Sequence, residues 1–343
     1  MRRAVLTKGN RYYSGPRSDH FDGALFFQPG GARDRGLGEL LRWRLGGRRA
    51  PWPRSLPSPF ADRPPQRVAG GALRVVAIGH ASFLIQTRGL NLLVDPVYSR
   101  RASPLQWAGP IRVNPPGVAF DALPPIDAVL VSHNHYDHLD LATLSGLAAR
   151  WRPRILTPLG NDAILAAHRP AIASEAFDWG ARVALSDHVA VHFEPAYHWS
   201  ARGLGDRRMA LWCAFAIETP DGAIYCIGDT GFGDGALFPA IRRKHGPPRL
   251  ALIPIGAYAP RWFMKDFHID PAEAVQVFAL CGARSAIAHH WGTFPLSDEA
   301  IEAPREGLST ALRDAGVDPA RFRALLPGEV WAESGAQDQR AAP

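Results

Sequence analysis

The sequence predicts an α/β fold whose chemistry lies along one edge of its strands. Short apolar runs bounded by Gly, Pro and Asp recur along the chain and read as buried strands. Helical periodicity appears between them, as in the stretch from Leu139 to Trp151. The polar residues capable of chemistry gather where strands end, which is where α/β folds build their sites. The densest gathering is His133-Asn134-His135-Tyr136-Asp137-His138, three histidines and a carboxylate within six residues. Apolar residues 128–131 precede it and the helical run follows, so it falls on a strand-to-helix loop.

The chain has 343 residues, 46% of them hydrophobic, which suits one large α/β domain with embellishments or two modest ones. No apolar run approaches the roughly 18 residues that would read as a membrane span. The start, Met1 to Lys8, lacks the apolar core of a secretory leader. Cys213, Cys226 and Cys281 are few, odd in number and form no C-x-x-C pattern, so buried structural thiols in a reducing cytoplasm are expected. The net charge of +7 is unevenly placed. Residues 1–67 carry 14 Lys/Arg against 5 Asp/Glu, or +9, and the remainder carries 25 against 27, or −2. A basic segment of this kind points to an anionic partner or serves as a solubilising arm.

Residues 1–70 read as an irregular basic extension lying over a catalytic domain. Helical character is predicted at residues 38–45, around Leu40, Leu41 and Trp43. Six prolines in residues 48–65 favour extended chain. From about Leu73, residues 74–78, 82–86 and 91–94 read as successive strands, the last ending at Asp95. Asp95 either orients a ligand histidine or is a turn residue before Pro96. His80, in Gly79-His80-Ala81-Ser82, is equally open. Residues 96–125 form a long irregular stretch of the kind that rims a site. A short helix is predicted at residues 161–168 with Asn161 as its N-cap.

Residues 189–194 alternate as a strand that leads to His198. Residues 211–217 and 223–227 read as a hairpin across Asp221-Gly222, and the second strand ends in Gly228-Asp229-Thr230-Gly231. Residues 250–255 form a buried strand and 260–268 a loop ending at His268. Asp270-Pro271 starts a helix as N-cap and first residue. The strand at 284–288 runs into His289-His290. Neighbours on a strand point to opposite faces, so only one of these two faces the site. Residues 297–313 read as a C-terminal helix, and 334–343 as a frayed tail.

Imidazole and carboxylate are good ligands for zinc and similar divalent ions. His133 and His135 can hold one ion, while Asp137 and His138 point at a second alongside. The plainer alternative is a polar loop whose histidines bond to backbone, and the H-x-H-x-D-H spacing after a strand disfavours it. That spacing resembles the signature of the metallo-β-lactamase-fold hydrolases. The likeness extends to residues 79–82, 123–130, 132–140, 195–200, 228–231, 253–265 and 290–294, which look like the family of N-acyl-phosphatidylethanolamine-hydrolysing phospholipase D and its bacterial relatives. Residues 253–265, Ile-Pro-Ile-Gly-Ala-Tyr-Ala-Pro-Arg-Trp-Phe-Met-Lys, are the most specific of these stretches.

The resemblance implies a four-layer αββα sandwich over residues 71–333 with two zinc ions at one edge. It implies that His133, His135 and His198 hold one zinc, that Asp137, His138 and His290 hold the other, and that Asp229 bridges them. His268 matches a histidine near the family's active site, and His289 lies one residue off the matching position. The implied reaction is phospholipase D-type cleavage of N-acyl-phosphatidylethanolamine to N-acylethanolamine and phosphatidic acid. Paired zincs supply an activated water, so no Ser or Cys nucleophile is required, and Asp137 or His268 assists proton transfer. The competing expectations are a lactonase or nuclease of the same fold, or a metal-dependent binding protein. The expected partners are a phospholipid substrate and a membrane surface, with no nucleic acid and with a homodimer as an option. The arm, with Trp43, Trp52 and several Phe among its arginines, is expected to lie at the headgroup level of the inner membrane.

Overall fold

The structure is a computed structural model that describes residues 9–47, 49–105 and 107–334. The start Met1 to Lys8, Arg48, Gln106 and the tail beyond residue 334 lie outside the described residues. Helix α1 (Leu37–Gly46) stands in the extension. Strands β1 (Leu73–Gly79), β2 (Ser82–Thr87), β3 (Leu90–Val94) and β4 (Ala128–Leu130) follow. Then come α2 (Leu141–Trp151), β5 (Arg154–Pro158), α3 (Asn161–Ala167), β6 (Glu175–Phe177), β7 (Arg182–Ala184), β8 (Ala190–Glu194), β9 (Ala214–Glu218) and β10 (Ile224–Cys226). The chain continues through α4 (Leu237–His245), β11 (Leu250–Pro254), α5 (Arg261–Met264), α6 (Pro271–Cys281), β12 (Ser285–His289), α7 (Ala303–Asp314), β13 (Phe322–Arg323) and β14 (Val330–Glu333).

These strands form two seven-stranded sheets, ordered β14-β1-β2-β3-β4-β5-β6 and β13-β12-β11-β10-β9-β8-β7. Most strands are apolar on both faces, and the two-residue alternation sends the faces into different layers. In β1, Leu73, Val75 and Ala77 enter the space between the sheets, while Val76 and Ile78 face α2 and α3. In β11, Leu250 and Leu252 enter the same central layer, while Ala251 and Ile253 pack under α4, α6 and α7. The result is the four-layer αββα sandwich. Cys213 and Cys226 lie in the central layer and Cys281 under the helices, all three as buried free thiols. Burial pushes Cys281 up to about 11 and raises the Cys213 and Cys226 thiols as well, which disfavours the reactive thiolate.

Several expectations are corrected. Asn161 does not cap α3: the cap is Gly160 in the left-handed region, and the buried Asn161 amide donates to the carbonyls of Pro158 and Leu211. Residues 260–268 are not all loop, because α5 makes one turn there. The last helix begins six residues later than predicted, with Pro304 in its first turn. Asp298 instead accepts from the Trp43 indole at 3.0 Å. Apart from Phe60, which is exposed, the extension's large aromatics turn inward rather than outward. Phe21 and Phe26 pack with Leu211 and Trp212, Trp43 is buried and stacked on Phe263 at 4.9 Å, and Trp52 donates to the Glu299 carbonyl. Solvent meets leucines instead: Leu37, Leu41 and Leu45, one strip at four-residue spacing on α1, are 79%, 58% and 85% exposed.

Candidate metal centre

The C-terminal ends of β1, β3, β4, β8, β10, β11 and β12 open along one edge of the sandwich, and their loops carry the candidate residues. Three of these ends turn sharply through the left-handed region at non-glycine residues: His80 (φ 58°), Asp95 (φ 41°) and His290 (φ 63°). Such backbone strain concentrates where a site over-determines its geometry. At the last turn the chain passes so close to Gly256 that a Cβ there would sit 2.1 Å from the His290 carbonyl oxygen, so only glycine fits.

Asp95 ties the first histidine loop down. Its carboxylate accepts from the Ser132 backbone N–H at 2.7 Å and the Ser132 hydroxyl at 2.6 Å, and pairs with His138 Nδ1 at 2.7 Å. Of the two readings of Asp95, the structure therefore shows the orienting one. His138 Nε2 is thereby aimed into the edge. There, His133 Nε2 lies 2.8 Å and His198 Nε2 3.3 Å from His135 Nδ1. Asp229 Oδ2 lies 3.8 Å from His133 Nε2, 3.6 Å from His198 Nε2, 3.3 Å from His138 Nε2 and 3.2 Å from His290 Nε2. Asp137 Oδ2 lies 3.3 Å from His290 Nε2 and 3.6 Å from His138 Nε2, and takes a hydrogen bond from His80 Nε2 at 2.9 Å.

Two four-residue groups emerge, each with its donor atoms within 4.8 Å of one another: His133, His135, His198 and Asp229, and His80, Asp137, His138 and His290. All seven sequence candidates for metal binding are brought together. His268 joins from α5's loop, its Nδ1 4.0 Å from Asp229 Oδ2. His289 does not join; its ring meets Phe83 edge-on, 6.2 Å between centroids. The member that sequence reasoning left undecided is His80. Its signal was its place after a strand and a glycine, the same context as the other candidates.

Electrostatics test whether a cation fits. Asp137 and Asp229 are buried, which alone would raise them, yet the surrounding imidazoles hold both well below the usual carboxylate range. Burial works against a charge on His290 as well, but Asp229 and Asp137 push it up to about 9, and with Asp95 they raise His138 well above its ordinary value. Burial dominates at the others, lowering His80 to about 3 and His135 and His268 to about 4. Two buried carboxylates thus draw positive charge to their centre. At the same place Asp229 Oδ1, His138 Nε2 and His290 Nε2 are buried without a hydrogen bond. Buried polar atoms of this kind call for a partner, and N/O donors around paired carboxylates suit divalent ions.

The extension braces the rim of this edge. Asp34 pairs with Arg207 and Arg208, and Arg35 pairs with Asp266. Arg207 lies 3.8 Å over the Trp199 ring, whose own ring meets His135 edge-on at 4.5 Å.

The chain is similar to known proteins of one fold. A family model described as a beta-lactamase superfamily domain matches residues 90–291. The chain is 39% identical over 271 residues to "N-acyl-phosphatidylethanolamine-hydrolyzing phospholipase D 1" of Caenorhabditis elegans, covering 75% of each chain. It is 29% identical to a protein of Caldivirga maquilingensis named as a metal-dependent hydrolase, covering 74% of this chain and 95% of that one. Among solved structures, isothiocyanate hydrolase from Delia radicum gut bacteria superposes with a TM-score of 0.62 at 18% identity, over 76% of this chain and 99% of that one. At that identity the likeness is one of fold.

Proposed function

We propose a phospholipase D-type phosphodiesterase function for this chain, which belongs to the beta-lactamase superfamily and is a metal-dependent hydrolase of that fold. The observation that carries the proposal is Asp229, whose carboxylate stands between two histidine groups with one oxygen facing both. That placement suits a carboxylate bridging two zinc ions, one held by His133, His135 and His198, the other by Asp137, His138 and His290. When bound, such a pair activates water near neutral pH and offsets charge on phosphoryl oxygens. The substrate class, N-acyl-phosphatidylethanolamine, comes from the Caenorhabditis elegans relative.

The chain's own residues then have distinct tasks. Asp137, fixed by His80 Nε2, would orient the attacking water by accepting its hydrogen bond, and it or His268 would assist proton transfer to the leaving alkoxide. His268, held neutral, offers a hydrogen bond at the reacting edge. The products are N-acylethanolamine and phosphatidic acid. A bilayer at this edge suits the leucine strip on α1, where Arg42 also covers the Trp262 ring at 4.7 Å. Amphipathic helices with basic flanks settle at lipid interfaces in this way.

The test is turnover of N-acyl-phosphatidylethanolamine in anionic vesicles by the full-length protein, with and without chelator, beside a lactone and RNA. Chelator-sensitive release of N-acylethanolamine is expected. Turnover of the lactone or RNA alone would replace the proposal with one of those activities. Leu41→Asp with Leu45→Asp is expected to lower vesicle co-sedimentation while leaving metal content unchanged. Unchanged sedimentation would rule out α1 as the docking element.

A further inference from the structure

A second gathering of ligand-type side chains lies away from the central edge, on the outer part of β8. His192 and Glu194 are two residues apart on that strand, so both point to one side of it. His245, the last residue of α4, comes over them from above. Its Nε2 meets Glu194 Oε1 at 2.8 Å, and its ring stands 4.7 Å from that of His192, inclined at 65°. Each of the three has a donor atom within 4.8 Å of the others. Glu194 is buried, with a side-chain exposure of 4%. A buried carboxylate needs a counter-charge, and Lys244 Nζ now provides it at 2.7 Å from the same oxygen.

We propose that His192, Glu194 and His245 form a second, peripheral site for a transition-metal ion of the zinc type, independent of how many ions the central edge holds. Two imidazoles and one carboxylate make a donor set that zinc takes readily, with a fourth position left for water. The orienting partner such a site needs is already in place. Glu218 on β9 pairs with His192 Nε2 at 2.7 Å and is itself held by Arg182 at 2.9 Å. One imidazole nitrogen is thus tied to a carboxylate and the other is left for an ion, the arrangement that fixes metal-binding histidines. Zinc–ligand distances of about 2.0–2.2 Å require only small side-chain rotations from the present spacing. Lys244 is the occupant to be displaced, and its half-exposed chain can swing into solvent without leaving a buried charge behind, because the ion replaces it. A filled site would staple the end of α4 to β8, four residues before His198.

The experiment compares zinc bound per chain by the full-length wild type, His245→Ala and Lys244→Ala after dialysis against the same buffered free zinc. Wild type is expected to bind one equivalent more than His245→Ala. Zinc should raise the melting temperature of His245→Ala less than that of wild type. Lys244→Ala, which removes the competing cation and no donor, is expected to bind the extra equivalent about tenfold more tightly than wild type. Equal zinc content in wild type and His245→Ala would overturn the site and leave an ion-pair staple. No gain in affinity in Lys244→Ala would overturn it as well, even if the histidine variant fails to fold.

Discussion

The cluster around Asp229 and the cluster around Glu194 both set imidazoles against a buried carboxylate, and β8 leads from one to the other. They differ in where the positive charge comes from. Glu194 draws it from the chain itself, through Lys244 and His245 at 2.7 and 2.8 Å. Asp229 has no lysine or arginine paired with it among the described residues; its neighbours are imidazoles, and the Nε2 atoms of His138 and His290 that face it lack hydrogen bonds. A carboxylate with its own cation makes a stable staple that an ion must compete for. A carboxylate ringed by unsatisfied imidazoles makes a site that is unfinished without an ion. The same residue types thus serve two ends, and the difference lies in one amine.

The sharpest way to break this comparison is Asp229→Ala, which removes the carboxylate shared by both central groups. Turnover of the N-acylated phospholipid is expected to fall by about 10³-fold or more, at least the scale of losing one preorganised electrostatic stabiliser. Near-normal kcat would show that Asp229 is not shared. Next, His290→Ala is expected to lose bound metal, while His289→Ala, altering a ring that faces Phe83, keeps it; elemental analysis of the two purified variants decides. Asp95→Asn should weaken metal binding by roughly 10–100-fold, since it removes no ligand but weakens the carboxylate that aims His138 and ties down Ser132. Competition with a chromophoric chelator measures that change, and an unchanged affinity would reduce Asp95 to a turn residue.

The smallest expected effect is at Glu194. Burial raises it, but the hydrogen bonds and charges of His245 and Lys244 outweigh that and leave it below its ordinary value of 4.5. A depressed carboxylate stabilises the fold above its unfolded value, and the contribution is lost as pH falls through the folded one. Glu194→Gln should therefore cost roughly 1–3 kcal/mol at pH 7 and progressively less below about pH 4.5. Urea unfolding across that range reads the difference. A gap that stays constant with pH would mean that charge at Glu194 does not matter.

Sequence alone determined the local facts. Apolar runs of strand length, each leading within about four residues to a Gly, Asp or His, marked β1, β3, β4, β8, β10 and β12 and put the chemistry at their ends, because strand and loop are written within a few neighbouring residues. The Asp270-Pro271 helix start was equally legible, since its cap is local: Asp270 accepts from the Glu273 backbone N–H at 2.9 Å. Where the local signal was ambiguous the reading slipped, as at Asn161, whose amide is taken by Leu211 some 50 residues away. Only the tertiary structure decided what depends on sheet order and register. It placed Asp229 between two histidine groups, set His80 on Asp137 across 57 residues, turned Trp43 inward to Asp298, and brought His245 down onto Glu194. The physical reason is that convergence of side chains from separate strands is fixed by how two sheets stack, and no short window of sequence carries that distance.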